Sequence, residues 1–425
     1  MDDGSSGMIF CMNALTMHDV VVERMAYGGD GLARLVDGRV VFIPAVIPGE
    51  KVSVRVVDDK QKYARAEAIE LLAPSAERVS APCPHFGVCG GCQYQHIQYH
   101  HQLRYKQDIL REQLARLAHL DNVGEITVFP SDLAYGYRNV LEFHPLPDGK
   151  MGFMKRDSNA VFEVTRCLLP GQTIQSAWSS LILEPGSEVT RVELRQNCAE
   201  ELLVTLEGAP GSIPEIEVSA PVNMVHCSGG ETIVLSGQDA LTMWVRDVPF
   251  QLSAGSFFQV NDGVAESMVS YITTIVQQLT PKKVLDLYCG VGLFSRFIAP
   301  LIDELVAIES DPRACRNFAV NLDAFDNVSL YEGSAETIMP GLPFKADLVL
   351  CDPPRAGLHA HVIDALVHSG VTTLIYVSCD PATLARDVQR LGGNDFGVEK
   401  IALFDMFPQT YHFETVALLR AAGKE

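Results

Sequence analysis

The sequence predicts a multidomain chain: an N-terminal β-barrel of the OB type, a central α+β region built around a cysteine loop, and a C-terminal Rossmann-like α/β domain. Three observations carry this prediction. Short β-rich runs separated by Gly and Pro turns fill residues 19–78. Three cysteines then cluster in Cys83-Pro84-His85-Phe86-Gly87-Val88-Cys89-Gly90-Gly91-Cys92. From residue 256 onward, apolar strands alternate with helical patterns, the signature of a parallel sheet. At 425 residues the chain exceeds one typical domain of about 100–200 residues. Boundaries fall near 78, after Pro74-Ser75-Ala76-Glu77, and near 255, before Ser256-Phe257.

Taken in order, residues 1–18 carry no pattern and are expected to be poorly ordered. The barrel follows in Tyr27-Gly28-Gly29-Asp30-Gly31, Val40-Val41-Phe42-Ile43-Pro44 and Pro48-Gly49-Glu50-Lys51-Val52-Ser53-Val54-Arg55-Val56. In the central region, 79–255, an amphipathic helix is predicted from Tyr99 to Leu120, with β-rich runs at Val140–Phe143, Val189–Leu194 and Leu202–Leu206. The glycines of the cysteine loop let the backbone fold round a bound group and donate N–H groups to its sulfurs. The chain opens with neither a basic region nor a long apolar stretch, and no segment approaches a membrane span, so a cytoplasmic location is expected. In a reducing cytosol disulfides are rare, and clustered cysteines point to metal. Zinc, with His85 or His96 as a further ligand, and an iron–sulfur cluster both suit this loop. Cys11, Cys198, Cys227, Cys289, Cys315 and Cys351 read mostly as small buried hydrophobes.

The C-terminal domain opens with the strand Val284-Leu285-Asp286-Leu287-Tyr288 and the turn Cys289-Gly290-Val291-Gly292-Leu293-Phe294. The next strand, Leu305-Val306-Ala307-Ile308, ends in Glu309, placed to accept hydrogen bonds from ribose hydroxyls. Phe294-Ser295 follow where a dinucleotide fingerprint has its third glycine. The pattern therefore favours S-adenosylmethionine, which has no pyrophosphate to cradle, over NAD. Asp352, ending Asp347-Leu348-Val349-Leu350-Cys351-Asp352, lies where open α/β sheets place ligands. Cys379 follows the apolar run Leu374-Ile375-Tyr376-Val377 at a strand-to-helix turn, near a helix N-terminus where thiolate is favoured. Glu414 leads into the last apolar strand, Thr415 to Leu419. A nucleophile and a base on neighbouring strands make a covalent active site.

The blocks Phe257-Phe258-Gln259-Val260-Asn261, Asp286-Leu287-Tyr288-Cys289-Gly290, Asp352-Pro353-Pro354-Arg355-Ala356-Gly357, Tyr376-Val377-Ser378-Cys379 and Asp405-Met406-Phe407-Pro408 through Glu414 come in a distinctive order and spacing. In these the chain resembles the RNA uracil-C5-methyltransferases that use S-adenosylmethionine and carry an iron–sulfur cluster, and the match extends through most of its length. The resemblance implies that Cys379 adds to uracil C6, making C5 enolate-like, and that Glu414 removes the C5 proton. It implies that Gln259, Tyr288 and Glu309 contact the cofactor, and that Asp352 meets the cofactor or the uracil edge. Arg355 would orient the base and Phe257 stack on it, once the base has left its own stack. Cys167 is implied as the fourth ligand, with Cys83, Cys89 and Cys92, of a 4Fe–4S cluster with a structural or RNA-positioning role. Residues 19–78 look like a TRAM domain, whose Arg34, Arg39, Arg55, Lys60, Lys62 and Arg65 would contact phosphates. Gly149 to Arg156, with Lys150, Lys155 and Arg156, reads as a second RNA-facing turn.

A net charge of −20 departs from the basic balance usual in nucleic-acid-binding proteins. The charge is uneven: residues 1–160 hold 17 Lys and Arg against 20 Asp and Glu, and residues 161–425 hold 16 against 33. Local basic faces must then guide RNA, including the stretch with Arg104, Lys106, Arg111, Arg116, His96, His100 and His101, with a modest salt dependence. The chain departs from the family at Asp380, where Asn is common, at Gln409, where His is common, and at Leu293, where some members have a polar residue. The leading reading is methylation of 23S rRNA, with the tRNA T loop as the nearest alternative. An amino-group methyltransferase would leave Cys379 and Glu414 without roles, and a non-catalytic RNA-binding iron–sulfur protein would not need them intact. No obligate protein partner is implied.

Overall fold

The computed structural model describes residues 17–179, 181–209 and 222–421. These divide into two compact units, one of the residues up to Ser80 with His96–Gln98, the other of Ala81–Gln95 and the chain from Tyr99 onward. Met17 and His18, expected to be poorly ordered, open the first strand; the rest of that expected segment lies outside the described residues.

The first unit is one six-stranded sheet of β1 (Met17–Val21), β2 (Arg24–Met25), β3 (Gly31–Arg34), β4 (Val40–Ile43), β5 (Lys51–Asp59) and β6 (Tyr63–Ala73), in the order β1-β5-β6-β4-β3-β2. Alternating apolar residues set the inner face, where Val41, Ile43, Val52, Val54, Ala64 and Ala66 form the core. β1 also lies against β3, so the sheet curls as a barrel does. A Cβ on Gly31 would meet Val46 Cγ2 at 2.4 Å, so glycine allows this close approach. Buried Glu50 takes a two-pronged ion pair from Arg78 (2.6 and 2.7 Å) and the Ile47 N–H (2.8 Å). Five of the six residues expected on phosphates have carboxylates beside them: Arg34 with Glu23, Arg39 with Asp37 and Asp59, Arg55 with Glu67, Lys60 with Asp58, Arg65 with Asp30. A phosphate there must compete with exposed ion pairs, each worth about 0–1 kcal/mol.

The second unit begins with the cysteine loop and helix α1 (Tyr99–Ala118), then β7 (Ile126–Phe129). A seven-stranded sheet follows: β8 (Val140–Pro145), β9 (Met151–Met154), β10 (Val161–Glu163), the covering helix α2 (Gln172–Trp178), β11 (Val189–Gln196), β12 (Leu202–Gly208), β13 (Asn223–Ser228) and β14 (Glu231–Ser236), in the order β10-β9-β8-β11-β12-β13-β14. Phe143, Trp178, Val192 and Leu194 pack its core. The middle half of the expected turn Gly149–Arg156 is strand β9, because Met151 and Gly152 pair with β8 and Gly152 to Met154 with β10; turns flank it, closed by Leu146 N–H to the Lys150 carbonyl and Lys155 N–H to the Ala160 carbonyl (both 2.8 Å). A hairpin of β15 (Ala240–Val245) and β16 (Val248–Ser253) leads to α3 (Asp262–Leu279).

The remaining elements are β17 (Lys283–Leu287), α4 (Leu293–Ile298), β18 (Glu304–Glu309), α5 (Pro312–Asn321), β19 (Val328–Glu332), α6 (Ala335–Ile338), β20 (Leu348–Cys351), α7 (Ala360–Ser369), β21 (Thr373–Ser378), α8 (Pro381–Gly392), β22 (Phe396–Phe404) and β23 (Glu414–Ala421). The sheet order is β19-β18-β17-β20-β21-β23-β22-β7. β17 to β21 are parallel and β23 runs against them. β20 and β21 are buried along their whole length, as continuous apolar runs in a covered parallel sheet should be. β7, from the region read as central, is the outermost strand of this C-terminal sheet: it pairs in parallel with β22, and the Phe129 ring stacks on Phe404 at 4.4 Å.

One buried ion pair fixes α1 to this sheet. Lys106, expected on a basic RNA-facing stretch, is instead fully buried, with Nζ 2.5 Å from Asp405 Oδ1 and 3.0 Å from the Phe407 carbonyl. The Tyr99 hydroxyl donates to Asp405 Oδ2 at 2.7 Å, and the Asp405 N–H donates to the Phe129 carbonyl at 2.9 Å. Burial lowers the Lys106 pKa, and the Asp405 carboxylate opposes that fall. Lys106→Met should therefore cost about 3–5 kcal/mol, by stranding a buried carboxylate. Urea denaturation checks this; a midpoint equal to wild type would refute it.

Candidate active site

The parallel strands deliver their carboxyl ends to one side of the sheet, where open α/β folds bind ligands. β23 runs the other way, so its first residue lies at that same side. Ser378 pairs with Thr415 in the β21–β23 ladder, so the next residues outward are Cys379 and Glu414. Asp352 follows β20, the strand beside β21. The charges of Asp352 and Arg355 act on both Cys379 and Glu414, and that of Glu414 acts on Cys379, so the four lie close together. Sequence and topology thus bring the two expected catalytic residues and two expected contacts together.

The electrostatics differ from the expectation at Cys379. Burial, then the nearby Glu414 and Asp352 charges, pushes its thiol up to about 12, with Arg355 opposing. The helix N-terminus expected to favour thiolate is capped by Asp380, which accepts from the Ala382 and Thr383 N–H groups, both at 2.9 Å. Asp is among the strongest N-caps, so the departure from Asn keeps the cap and adds a negative charge. Burial also raises Glu414 well above the carboxylate range and Asp352 to about 7. Burial lowers His412 to about 4, leaving it neutral beside Arg355.

Asp387 on α8 holds the loop that carries Arg355. It accepts from the Leu358 N–H (2.7 Å), the Tyr376 hydroxyl (2.8 Å) and Arg386 Nε (2.9 Å). Gly357, at φ +77°, would place a Cβ 2.4 Å from Asp387 Oδ2, so glycine is required there. Among the expected cofactor contacts, Glu309 accepts from Gly290 N–H (2.9 Å), Ser310 N–H (2.6 Å) and Asp311 N–H (2.8 Å), which builds the glycine turn. Tyr288 leaves β17 at φ 62°. Ser295, where a dinucleotide fingerprint has glycine, donates to buried Asp286 at 2.5 Å. Leu293 is buried core, which accounts for its apolar character. Gln259 is buried on the segment before α3, which the Asn139 side chain holds through the Gln259 carbonyl (2.9 Å). Phe257 on that segment is 72% exposed, so it is free to stack rather than packed in the core.

The four expected metal ligands, Cys83, Cys89, Cys92 and Cys167, line one cavity of about 390 Å³, apart from the catalytic pair. The Gly91 N–H donates to Cys89 Sγ at 3.4 Å. His85 Nε2 accepts from the Thr165 N–H at 3.1 Å, which leaves Nδ1 as its ring nitrogen for a metal. His96 belongs to the first unit, with Nε2 3.4 Å from the Val46 carbonyl. Among the described residues, no three His, Cys, Asp or Glu side chains converge closely enough to hold one metal ion.

Sequence reasoning missed Asp286, Asp387 and the Lys106–Asp405 pair. Asp286 had a signal, an acid inside an apolar strand. Asp387 sits on the inner stripe of α8 with Leu384, Val388 and Leu391, a pattern that could have revealed it.

With its thiol raised, Cys379 should alkylate with iodoacetamide at a rate still rising above the ordinary cysteine value of about 8.5. Peptide mapping by mass spectrometry across pH reads this, and a plateau near that value would refute it. Glu414→Gln should move the profile to lower pH, because it removes a negative charge beside the thiol.

A family model described as tRNA (Uracil-5-)-methyltransferase matches residues 217–343 and 341–422, and a TRAM domain model matches residues 17–69. The chain is 32% identical to an uncharacterized RNA methyltransferase of Streptomyces coelicolor, covering 96% of this chain and 93% of that protein. It is 32% identical to the 23S rRNA (uracil(1939)-C(5))-methyltransferase RlmD of Vibrio parahaemolyticus, over 95% and 96% of the two chains. Its fold matches the crystal structure of Pyrococcus abyssi tRNA (uracil-54, C5)-methyltransferase in complex with S-adenosyl-L-homocysteine, at TM-score 0.74 and 25% identity, over 95% of this chain and all of that one. With a TRAM domain at its N-terminus and a methyltransferase fold behind it, the chain belongs to the RNA uracil-C5-methyltransferase family and is an S-adenosylmethionine-dependent enzyme.

Proposed function

We propose that this enzyme methylates C5 of one uridine in 23S rRNA through a covalent adduct between Cys379 and C6. The juxtaposition of Cys379 and Glu414 at the end of the β21–β23 ladder carries the reading. The rRNA target is supported by the resemblance to the Vibrio enzyme along nearly the whole chain.

S-adenosylmethionine, when bound, supplies the electrophilic methyl group and a sulfonium charge that favours the ionised form of nearby acids. Gln259, Tyr288 and Glu309 would hold it, and Asp352 would meet the cofactor or the uracil edge. The Cys379 sulfur, as thiolate, would bond C6, and the electron pair so moved to C5 would form the new carbon–carbon bond to the methyl, whose bond to the sulfonium breaks with its electron pair left on that sulfur. Glu414, as carboxylate, takes the C5 proton. The C6–S bond then breaks, its electrons returning to sulfur, and the product leaves. Asp352, at about 7, changes charge near neutrality and tunes both partners. Phe257 would stack on the extruded base, and Arg355 would orient it.

The cysteine cavity fits an iron–sulfur cluster better than zinc. Zinc draws its ligands to about 2.3 Å from one point, whereas here four soft sulfurs surround a cavity with a backbone N–H aimed at one of them. Cys83, Cys89, Cys92 and Cys167 would hold the cluster, which there would order the loop.

The reading is tested by mass spectrometry of rRNA and tRNA, separately, from cells with and without this gene. Loss of 5-methyluridine at one rRNA site is expected. Loss in the tRNA T loop would overturn the target, and no loss in either would overturn the function. Cys379→Ala should fail to restore the methyl. Wild type, given the same RNA carrying 5-fluorouridine at the target, should form a stable protein–RNA adduct, because C5 then has no proton for Glu414 to remove.

A further inference from the structure

The cysteine loop and Glu414 lie far apart in sequence, yet hydrogen bonds join their segments through one residue. Beyond Cys92 the loop continues into Gln93 and Tyr94, whose backbone N–H groups both donate to the Gln409 carbonyl, at 3.1 and 2.9 Å. Gln93 Nε2 reaches back to the Gly90 carbonyl at 2.8 Å, between Cys89 and Cys92. Buried Gln102 on α1 joins both sides: its Nε2 donates to the Tyr94 carbonyl (3.1 Å) and to Gln409 Oε1 (3.0 Å), and its Oε1 accepts from the Gln409 N–H (3.0 Å). Gln409 Nε2 in turn donates to the Ala134 carbonyl at 3.3 Å.

Gln409 is held at φ 70°, a left-handed conformation that a residue with a Cβ keeps only when its surroundings impose it. Just beyond it, the Thr410 hydroxyl donates to the Phe407 carbonyl (2.9 Å) and accepts the His412 N–H (3.1 Å), and the chain enters β23 at Glu414. The bonds that set this turn therefore come in large part from the end of the cysteine loop. Cys379 is placed separately, by β21 and by the Asp380 cap on α8.

We infer that Gln102 and Gln409 are positioning residues that couple the order of the cysteine loop to the placement of Glu414. This rests on the roles proposed above for Cys379 and Glu414. Thiol addition and proton removal should then respond differently to a break in the pair: addition survives, and proton removal slows. A neutral imidazole at 409 would offer one acceptor and one donor, the two features the Gln409 side chain uses toward Gln102 and Ala134.

The test compares full-length wild type, Gln409→Ala, Gln102→Leu and Gln409→His on RNA spanning the uridine identified as above. Gln409→Ala and Gln102→Leu should lower kcat by about tenfold or more, leave KM for S-adenosylmethionine within about twofold, and accumulate the covalent adduct on ordinary uridine RNA. Gln409→His should restore turnover and clear the adduct. Hydrogen exchange supplies a readout independent of activity: Cys89→Ser should raise exchange across residues 405–413 in an otherwise wild-type chain, and should add little in Gln409→Ala. Unchanged kcat, or a matched loss of kcat, cofactor affinity and melting temperature without adduct, would overturn the inference, as would unchanged exchange in Cys89→Ser. A wild type that forms no adduct with 5-fluorouridine RNA would overturn the adduct mechanism instead, and the exchange comparison would still decide the coupling.

Discussion

The Lys106–Asp405 pair is the constraint on which the catalytic end of the second unit depends. Two opposite charges removed from water are stable only if each is fully partnered. Here each is: Lys106 also bonds the Phe407 carbonyl, and Asp405 takes the Tyr99 hydroxyl and spends its N–H on Phe129. That requirement has one geometric solution, with α1, the end of β7 and the start of the 405–413 segment fixed together. Glu414 is the residue to which that segment leads. A hydrophobic contact would tolerate sliding by a fraction of an ångström; a dry ion pair with three partners does not.

From this anchor the site acquires a particular electrostatic character. Three acids, Glu414, Asp352 and Asp286, lie buried at adjoining strand ends, and burial drives all of them toward the neutral form. The half-buried thiol shares that tendency, so the resting pocket carries little of the charge its formulas imply. A cation entering such a pocket would favour the ionised form of these acids.

The sequence was most legible where local pattern decides structure. Val284–Leu287, Leu305–Ile308 and Leu374–Val377 are apolar runs buried on both faces, and each is a strand in the sheet. The positions of Cys379 and Glu414 could be read because each adjoins such a strand. What escaped was set by pairing between distant segments. Lys106 reads as one more basic residue until its partner, 299 positions away, is known. Ile126–Phe129 is too short to announce a sheet, and only β22 makes it an edge strand. The thiol's raised pKa escaped because its first cause is burial, and its next the Glu414 and Asp352 charges on neighbouring strands, both set by the tertiary fold. The middle of Gly149–Arg156 was misread because its charges suggested a turn, whereas Gly152 is held by ladder partners on both sides.

The parallel pairing of β7 with β22 carries a consequence for how the chain is made. Ile126 leaves the ribosome some 275 residues before Ile401, the residue it faces. At about 5–20 residues per second, that strand waits roughly 14–55 s for its partner. Throughout this interval its edge is open and the Lys106 ammonium has no carboxylate to meet, so α1 cannot settle into its final place. The stretch from about residue 400 onward is therefore the one that closes the sheet, neutralises the buried charge and sets Glu414 in place. A ribosome that stops short of residue 400 would release a chain that carries Cys379, Asp352 and Arg355 but neither Asp405 nor Glu414.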